Sequence, residues 1–151
     1  MQPLIQGYNS IAERLRVQTL VSLAQNSLLL ITRLWIANIF FKSGLTKIAT
    51  WEQTLILFEY EYEVPLLSPF IAAFLGTATE LICPVLLVLG ILSRISVLPI
   101  FIMTVVIEAF IIQNAEHYYW LLMMGSIIAF GAGRFSVDNL IGKKSKLVTI
   151  K

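Results

Sequence analysis

Four ionisable residues, Arg33, Lys47, Glu80 and Glu108, stand in or beside long apolar runs, and His117 follows just beyond the third. A charged side chain at the centre of a membrane helix costs about 2.5–3.5 kcal/mol, whereas a Leu or Ile returns about 0.3–0.6. Each such charge must therefore face an interior and have a partner. Buried Arg, Lys and Glu can build a polar pocket or a proton path, and His117 titrates in the range where protons are exchanged near neutrality. The same charges can also serve only to lock helix register.

Metal chemistry has little to work with. Cys83 is the single cysteine and His117 the single histidine, so neither a Cys-x-x-Cys pair, a thiolate cluster nor a multi-histidine site can be assembled within the chain. No metal site and no intrinsic cofactor are expected.

Two further groupings carry polar atoms. Gln113-Asn114-Ala115-Glu116-His117-Tyr118-Tyr119-Trp120 gathers polar and aromatic groups at one membrane boundary. An interfacial aromatic belt accounts for its three rings, and a quinone head group stacked on them, with His117 or Glu108 handling protons, is the functional alternative. At the other boundary lies Gly131-Ala132-Gly133-Arg134-Phe135-Ser136-Val137-Asp138. Its glycines permit a sharp exit from a helix and Ser136 or Asp138 can cap the turn that follows. No strand precedes it, which weighs against a phosphate cradle.

The elements that must hold these residues follow from composition. The chain of 151 residues is 58% hydrophobic and 13% charged with a mean hydropathy of +0.82. Soluble domains are nearer 45–50% apolar and about 25% charged. The formal charge is +2 and the basic residues gather in the tails, which does not fit a nucleic-acid surface. The hydropathy predicts an all-α, polytopic four-helix bundle forming a single domain over 1–151, with spans at about 27–48, 66–92, 95–112 and 118–135 and tails at 1–26 and 136–151. The first run is too long for a signal-peptide core and no Ala-x-Ala site follows it.

Lys and Arg set the orientation. Arg14, Arg16, Arg94, Arg134, Lys143, Lys144, Lys146 and Lys151 fall on one side, while Glu52, Glu59, Glu61, Glu63 and Glu116 populate the other. Both termini are therefore expected in the cytoplasm, and the protein in a bacterial inner membrane. Gly90-Ile91-Leu92-Ser93-Arg94 leaves room only for a hairpin, so the second and third spans should be packed neighbours. The alternation Phe58-Glu59-Tyr60-Glu61-Tyr62-Glu63-Val64 predicts an extended segment across the bundle mouth, an amphipathic surface strip or a lid.

Helical spacing puts Arg33, Ala37, Phe40, Gly44 and Lys47 on one line of the first span, with Lys42 opposite and free to snorkel. Glu80 shares a face with Ala73, Gly76, Thr77, Cys83 and Pro84, and Pro84 releases the Glu80 carbonyl from its helical bond. Thr104 and Glu108 are one turn apart, and Gly125, Ala129 and Gly133 form a small-residue stripe that predicts tight packing. Counted from the cytoplasmic ends, Arg33 lies about 10 Å deep and Glu80 about 18 Å, which predicts an Arg33–Glu80 ion pair. Glu108, at about 20 Å, is expected to associate more weakly with Lys47, Lys42 or His117.

Arg33, Ser43-Gly44-x-x-Lys47, Glu80-Leu81, Leu86-Leu87-Val88-Leu89-Gly90 with Arg94, and Gly131-x-Gly133-Arg134-Phe135-Ser136-x-Asp138 occur in an order that resembles the DoxX family of small bacterial membrane proteins, over about residues 27–140. The resemblance implies a four-helix membrane fold. DoxD relatives belong to a thiosulfate:quinone oxidoreductase, and a DoxX-like protein is linked to a membrane oxidoreductase complex of thiol and oxidative-stress defence. What this implies for the chain is a membrane subunit of a redox system, quinone-linked and acting with partner proteins in the bilayer, and open to homo-oligomerisation. Transport of a small solute or proton, and a noncatalytic assembly role, are the alternative expectations.

Overall fold

A computed structural model describes residues 2–62, 64, 66–111 and 113–148. The described residues are helical, with no strand among them, as the hydropathy predicts. Six helices follow one another: α1 (Gln2–Ala49), α2 (Trp51–Tyr60), α3 (Pro69–Leu89), α4 (Ser93–Phe110), α5 (Ala115–Phe130) and α6 (Val137–Val148). Three are long and apolar enough to cross a membrane: Glu13–Ala49 within α1, Pro69–Leu89 and Ser93–Phe110. The protein is thus a multi-pass protein embedded in a lipid bilayer, since so much bare apolar surface is stable only against hydrocarbon.

The helices α1, α3, α4 and α5 form a closed ring in which each packs on the next. At its centre Ile36, Leu87, Val97, Ile100, Met124 and Ile127 are fully buried. The ring is drawn tight where α1 meets α3. A methyl added at Gly44 would lie 2.9 Å from the Leu81 side chain and 3.1 Å from Glu80 Cβ, so only a hydrogen fits there. The α5 stripe behaves otherwise: nothing lies within 4 Å of a Cβ built at Gly125, so this residue takes no part in close helix packing.

The hairpin between α3 and α4 is as short as expected. Gly90, at φ +69°, ends α3 with its amide turned back to the Leu86 and Leu87 carbonyls, a conformation that only glycine adopts without strain. At the start of α3, Ser68 accepts from the Ile71 amide and Pro69 occupies the first turn, where no amide hydrogen is needed.

Residues 2–26, expected as a tail outside the bilayer, are helical and continuous with the first span, so that α1 is one helix of 48 residues. Two expectations change. The segment expected to be extended, Phe58–Val64, starts as helix instead: Phe58, Glu59 and Tyr60 are the last turn of α2, because Trp51, Thr54, Leu55 and Phe58 recur at helical spacing and bury Thr54 and Phe58 against the bundle. The fourth apolar run gives a helix of 16 residues at Ala115–Phe130 rather than 118–135, because Asn114 caps its start and Gly131, at φ +79°, ends it.

Helix α5 nevertheless runs antiparallel along the whole of α4. His117 at its start meets Glu108 near the end of α4, and the Ala129 carbonyl at its end accepts from Arg94 at the start of α4 (3.1 Å).

Candidate functional site

The ionisable residues divide between the two ends of the ring. At the Gly90 end, Arg33 is fully buried. Its Nη1 donates to the Leu87 carbonyl (3.3 Å), and its Nη2 to the Phe135 carbonyl. Leu87 lies in the last turn of α3, where the helix dipole concentrates partial negative charge on the carbonyls and favours a cation. The expected Arg33–Glu80 pair does not form. Gly44 is the residue of α1 that faces Glu80, and Arg33 lies eleven residues earlier, about 16 Å along the helix, which puts it level with Leu87 and Gly90 instead.

The turn after α5 closes over this arginine. Asp138 accepts from the Leu92 (2.8 Å) and Ser93 (3.1 Å) amides, and its own amide donates to the Gly90 carbonyl (3.0 Å). Ser136 Oγ donates to the Gly133 carbonyl and accepts from the Asn139 amide, which makes it the cap anticipated for this turn. Asn26 accepts from the Arg134 amide (2.5 Å), and a Cβ at Gly133 would come within 3.0 Å of that Asn26 oxygen. Gly131, Gly133, Arg134, Ser136 and Asp138 therefore form a clasp between α1, the α3–α4 hairpin and the chain after α5. Within it Asp138 and Ser136 are engaged with backbone groups, while the Arg33 Nε and Ser93 Oγ buried beside them have no hydrogen-bond partner. Asn26 and Asn139, which help hold it, were not singled out by sequence.

At the α2 end the buried cation meets a carboxylate. Lys47 Nζ donates to both Glu80 oxygens, each at 2.7 Å, and to Ser43 Oγ (2.9 Å), which in turn donates to Glu80 Oε1 (3.3 Å). The side chains of Lys47 and Glu80 are 13% and 5% exposed, enough shielding for the pair to hold where either charge alone would be costly. Thr54 Oγ donates to the Lys47 carbonyl (3.1 Å), fastening α2 across the end of α1.

Beside this pair a cavity of about 360 Å³ opens between α3 and α4. Lys47, Tyr62, Thr79 and Glu80 supply polar groups to its lining, and Phe58, Leu75, Pro99, Ile102, Met103 and Val106 line much of the rest. Leu75 and Ile102 are half exposed on the outer face of the bundle, so the cavity faces sideways toward lipid. Phe58 and Tyr62, both in its lining, meet edge to face at 4.8 Å. Burial, and after it the carboxylates of Glu80 and Glu61, hold the Tyr62 hydroxyl above the usual phenol range, so it stays a hydrogen-bond donor at neutral pH. Ser43, Phe58 and Tyr62 belong to this site: Ser43 stands in the Ser43-Gly44-x-x-Lys47 motif, and Phe58 and Tyr62 in the segment read as a surface strip or a lid. The Ser43–Lys47 spacing of four residues was the available signal.

The third cluster joins α4 to α5. His117 Nδ1 and Glu108 Oε2 are 2.7 Å apart, and the same carboxylate oxygen accepts from the Asn114 amide (2.9 Å). Of the three partners expected for Glu108, His117 is the one it meets. Trp120 lies over the His117 ring at 5.1 Å and edge-on to Phe40 at 5.6 Å, so this aromatic is built into the core, whereas Tyr118 and Tyr119 are exposed, as a boundary belt requires. Lys42 is exposed, as its position opposite the buried stripe predicts.

The DoxX family model matches residues 28–113, a stretch that holds Arg33, Lys47, Glu80 and Glu108 and stops short of His117 and the Gly131–Asp138 clasp. No curated protein and no solved structure matches the chain at a significant level.

Proposed function

The chain belongs to the DoxX family, and on that premise we propose that it is the membrane subunit of a redox system, taking a quinone from the bilayer into the α3–α4 cavity and working with partner proteins. The observation that carries this reading is the Lys47–Glu80 pair at the polar end of an otherwise apolar cavity open toward lipid. Such a site suits a molecule with an apolar body and a small polar head. Its volume falls in the range of roughly 300–1,000 Å³ usual for small-molecule sites.

The residues fit a quinone head in both redox forms. The Lys47 ammonium can donate to a ring carbonyl, exchanging its contact with Ser43 for the ligand, and Tyr62 supplies a second donor. Glu80 accepts from Lys47 and Ser43 and keeps lone pairs with which to accept a ring hydroxyl. The chemistry a quinone would supply here is uptake of two electrons, from a partner oxidoreductase, and of two protons. This chain's own contribution is to hold the head group, exclude water from it and keep hydrogen-bonding groups around it.

The topology in this reading has four crossings, because α5 accompanies α4 from end to end, with both termini in the cytoplasm of a bacterial cell. Arg94, Arg134 and the start of α6, the helix that carries Lys143, Lys144 and Lys146, lie at the Gly90 end, while Glu52, Glu59 and Glu61 lie at the α2 end.

The Glu108–His117 pair favours a second reading, proton transport, since it places a carboxylate and an imidazole in direct contact within the bundle. Reconstitution separates the two. Purified protein in nanodiscs should retain quinone detectable by mass spectrometry, and Lys47→Met and Glu80→Gln should each lose it while Glu108→Gln keeps it. Folded protein that retains no quinone, yet carries a proton flux lost in Glu108→Gln, would replace the first reading with the second. Absence of both would leave the charges with a purely structural role.

A further inference from the structure

The element that the redox reading does not use is α6. Its first turn is fixed to the end of the bundle by the bonds of Asp138 to the Leu92 and Ser93 amides and to the Gly90 carbonyl. Those three residues form the hairpin at which the spans α3 and α4 end. The helix therefore starts at the level where the bilayer gives way to water, on one side of the membrane.

From there it presents an apolar pair that the described residues leave uncovered. Leu140 and Ile141 are 62% and 61% exposed, although Val137, on the same helical face, is half-buried. Asp138 and Asn139 are turned to the clasp, where Asn139 Nδ2 donates to the Arg134 carbonyl (2.9 Å). The sequence continues the apolar spacing with Leu147 and Val148. After Asp138 it contains no acidic residue and four lysines, Lys143, Lys144, Lys146 and Lys151. Arg134 stands exposed beside the helix start.

An amphipathic helix that begins at the membrane boundary, with bare leucine and isoleucine and a run of charges of one sign, matches the surface it adjoins. Negative lipid headgroups complement the lysines, and the acyl boundary takes the apolar pair. We propose that α6 is a membrane-surface helix that binds anionic lipid headgroups at the Gly90 end of the bundle, with Leu140 and Ile141 inserted below them. A neutral bilayer offers the apolar half of this interaction alone, so binding strengthens with anionic lipid and weakens with salt.

The full-length protein, in nanodiscs of phosphatidylcholine with or without phosphatidylglycerol, provides the test, read as amide hydrogen exchange over residues 139–148. Phosphatidylglycerol should slow exchange there about tenfold or more, with the gain lost at high salt and in the triple variant Lys143→Gln, Lys144→Gln, Lys146→Gln. Exchange across α3 should stay unchanged in that variant, showing that the bundle remains folded. Equal exchange in the two lipids would overturn the proposal. So would slow exchange in both that survives the triple substitution, which would mean that α6 is covered by protein. Neither result touches the cavity between α3 and α4, whose quinone reading stands or falls by its own assay.

Discussion

The two ends of the ring each bury a cation, and they neutralise it in different ways. Arg33 is shared among backbone carbonyls from α3 and from the turn after α5, inside a clasp that is tight at Gly90 and Gly133. Lys47 is matched by one carboxylate and one hydroxyl, next to an open cavity. Carbonyls cannot change charge and are fixed by the fold, so the Arg33 arrangement suits a permanent joint. A carboxylate and an ammonium can exchange partners with an incoming polar group, so the Lys47 arrangement suits a binding site. Ionisable residues in membrane helices therefore differ in kind, and what surrounds them decides which kind they are.

The largest effect expected from this contrast is at the cavity end. Lys47→Met strands the buried Glu80 charge and should cost about 3–5 kcal/mol of stability, most of it recovered when Glu80→Gln is added. Unfolding of the two single variants and the double in mild detergent measures the coupling. Near-additive losses would mean that Lys47 and Glu80 do not act as a pair.

At the clasp, Gly90→Ala should cost about 2–4 kcal/mol, with no quinone dependence. The added methyl would lie 2.1 Å from Arg33 Nη1 and 2.5 Å from Ser136 Cβ, at a φ of +69°. The thermal midpoint with and without added quinone distinguishes the ends: Gly90→Ala lowers both values equally, and Lys47→Met also removes the quinone-induced rise. A Gly90→Ala protein that loses quinone binding while still folded would erase the division between joint and site.

A smaller loss, about 1 kcal/mol, is expected for Asp138→Asn. The amide retains one acceptor for the Leu92 or Ser93 amide but gives up the charge and the second bond. Proteolysis of the turn after α5 would report the loosening. An unchanged midpoint together with unchanged cleavage would show that the backbone bonds around Gly90 hold the clasp unaided.

Much of the fold was legible because hydrocarbon imposes a simple rule. Three spans, the α3–α4 hairpin and the inward stripe through Arg33, Ala37, Phe40 and Gly44 follow from length, apolarity and a period of 3.6 residues. The Gly131–Asp138 turn was legible as a sharp helix exit with a capping serine, though not as the cover over Arg33. The end of α2 was misread for a local reason: the alternation from Phe58 to Val64 has the period of a strand, but Phe58 also continues the helical spacing of Trp51, Thr54 and Leu55 just before it. The pairing of charges was misread for a longer-range one, since depth counted along each helix separately omits the offset between helices.

The sequence by itself determined that this is a multi-pass helical membrane protein with ionisable groups that must be buried, because the transfer costs of charged and apolar side chains depend on residue type alone. Which charge meets which was decided only by the tertiary structure. Each residue advances a helix by about 1.5 Å, so the close approach of Gly44 to Glu80 and Leu81 sets a register in which Lys47 reaches the carboxylate and Arg33 is left to the carbonyls at the far end.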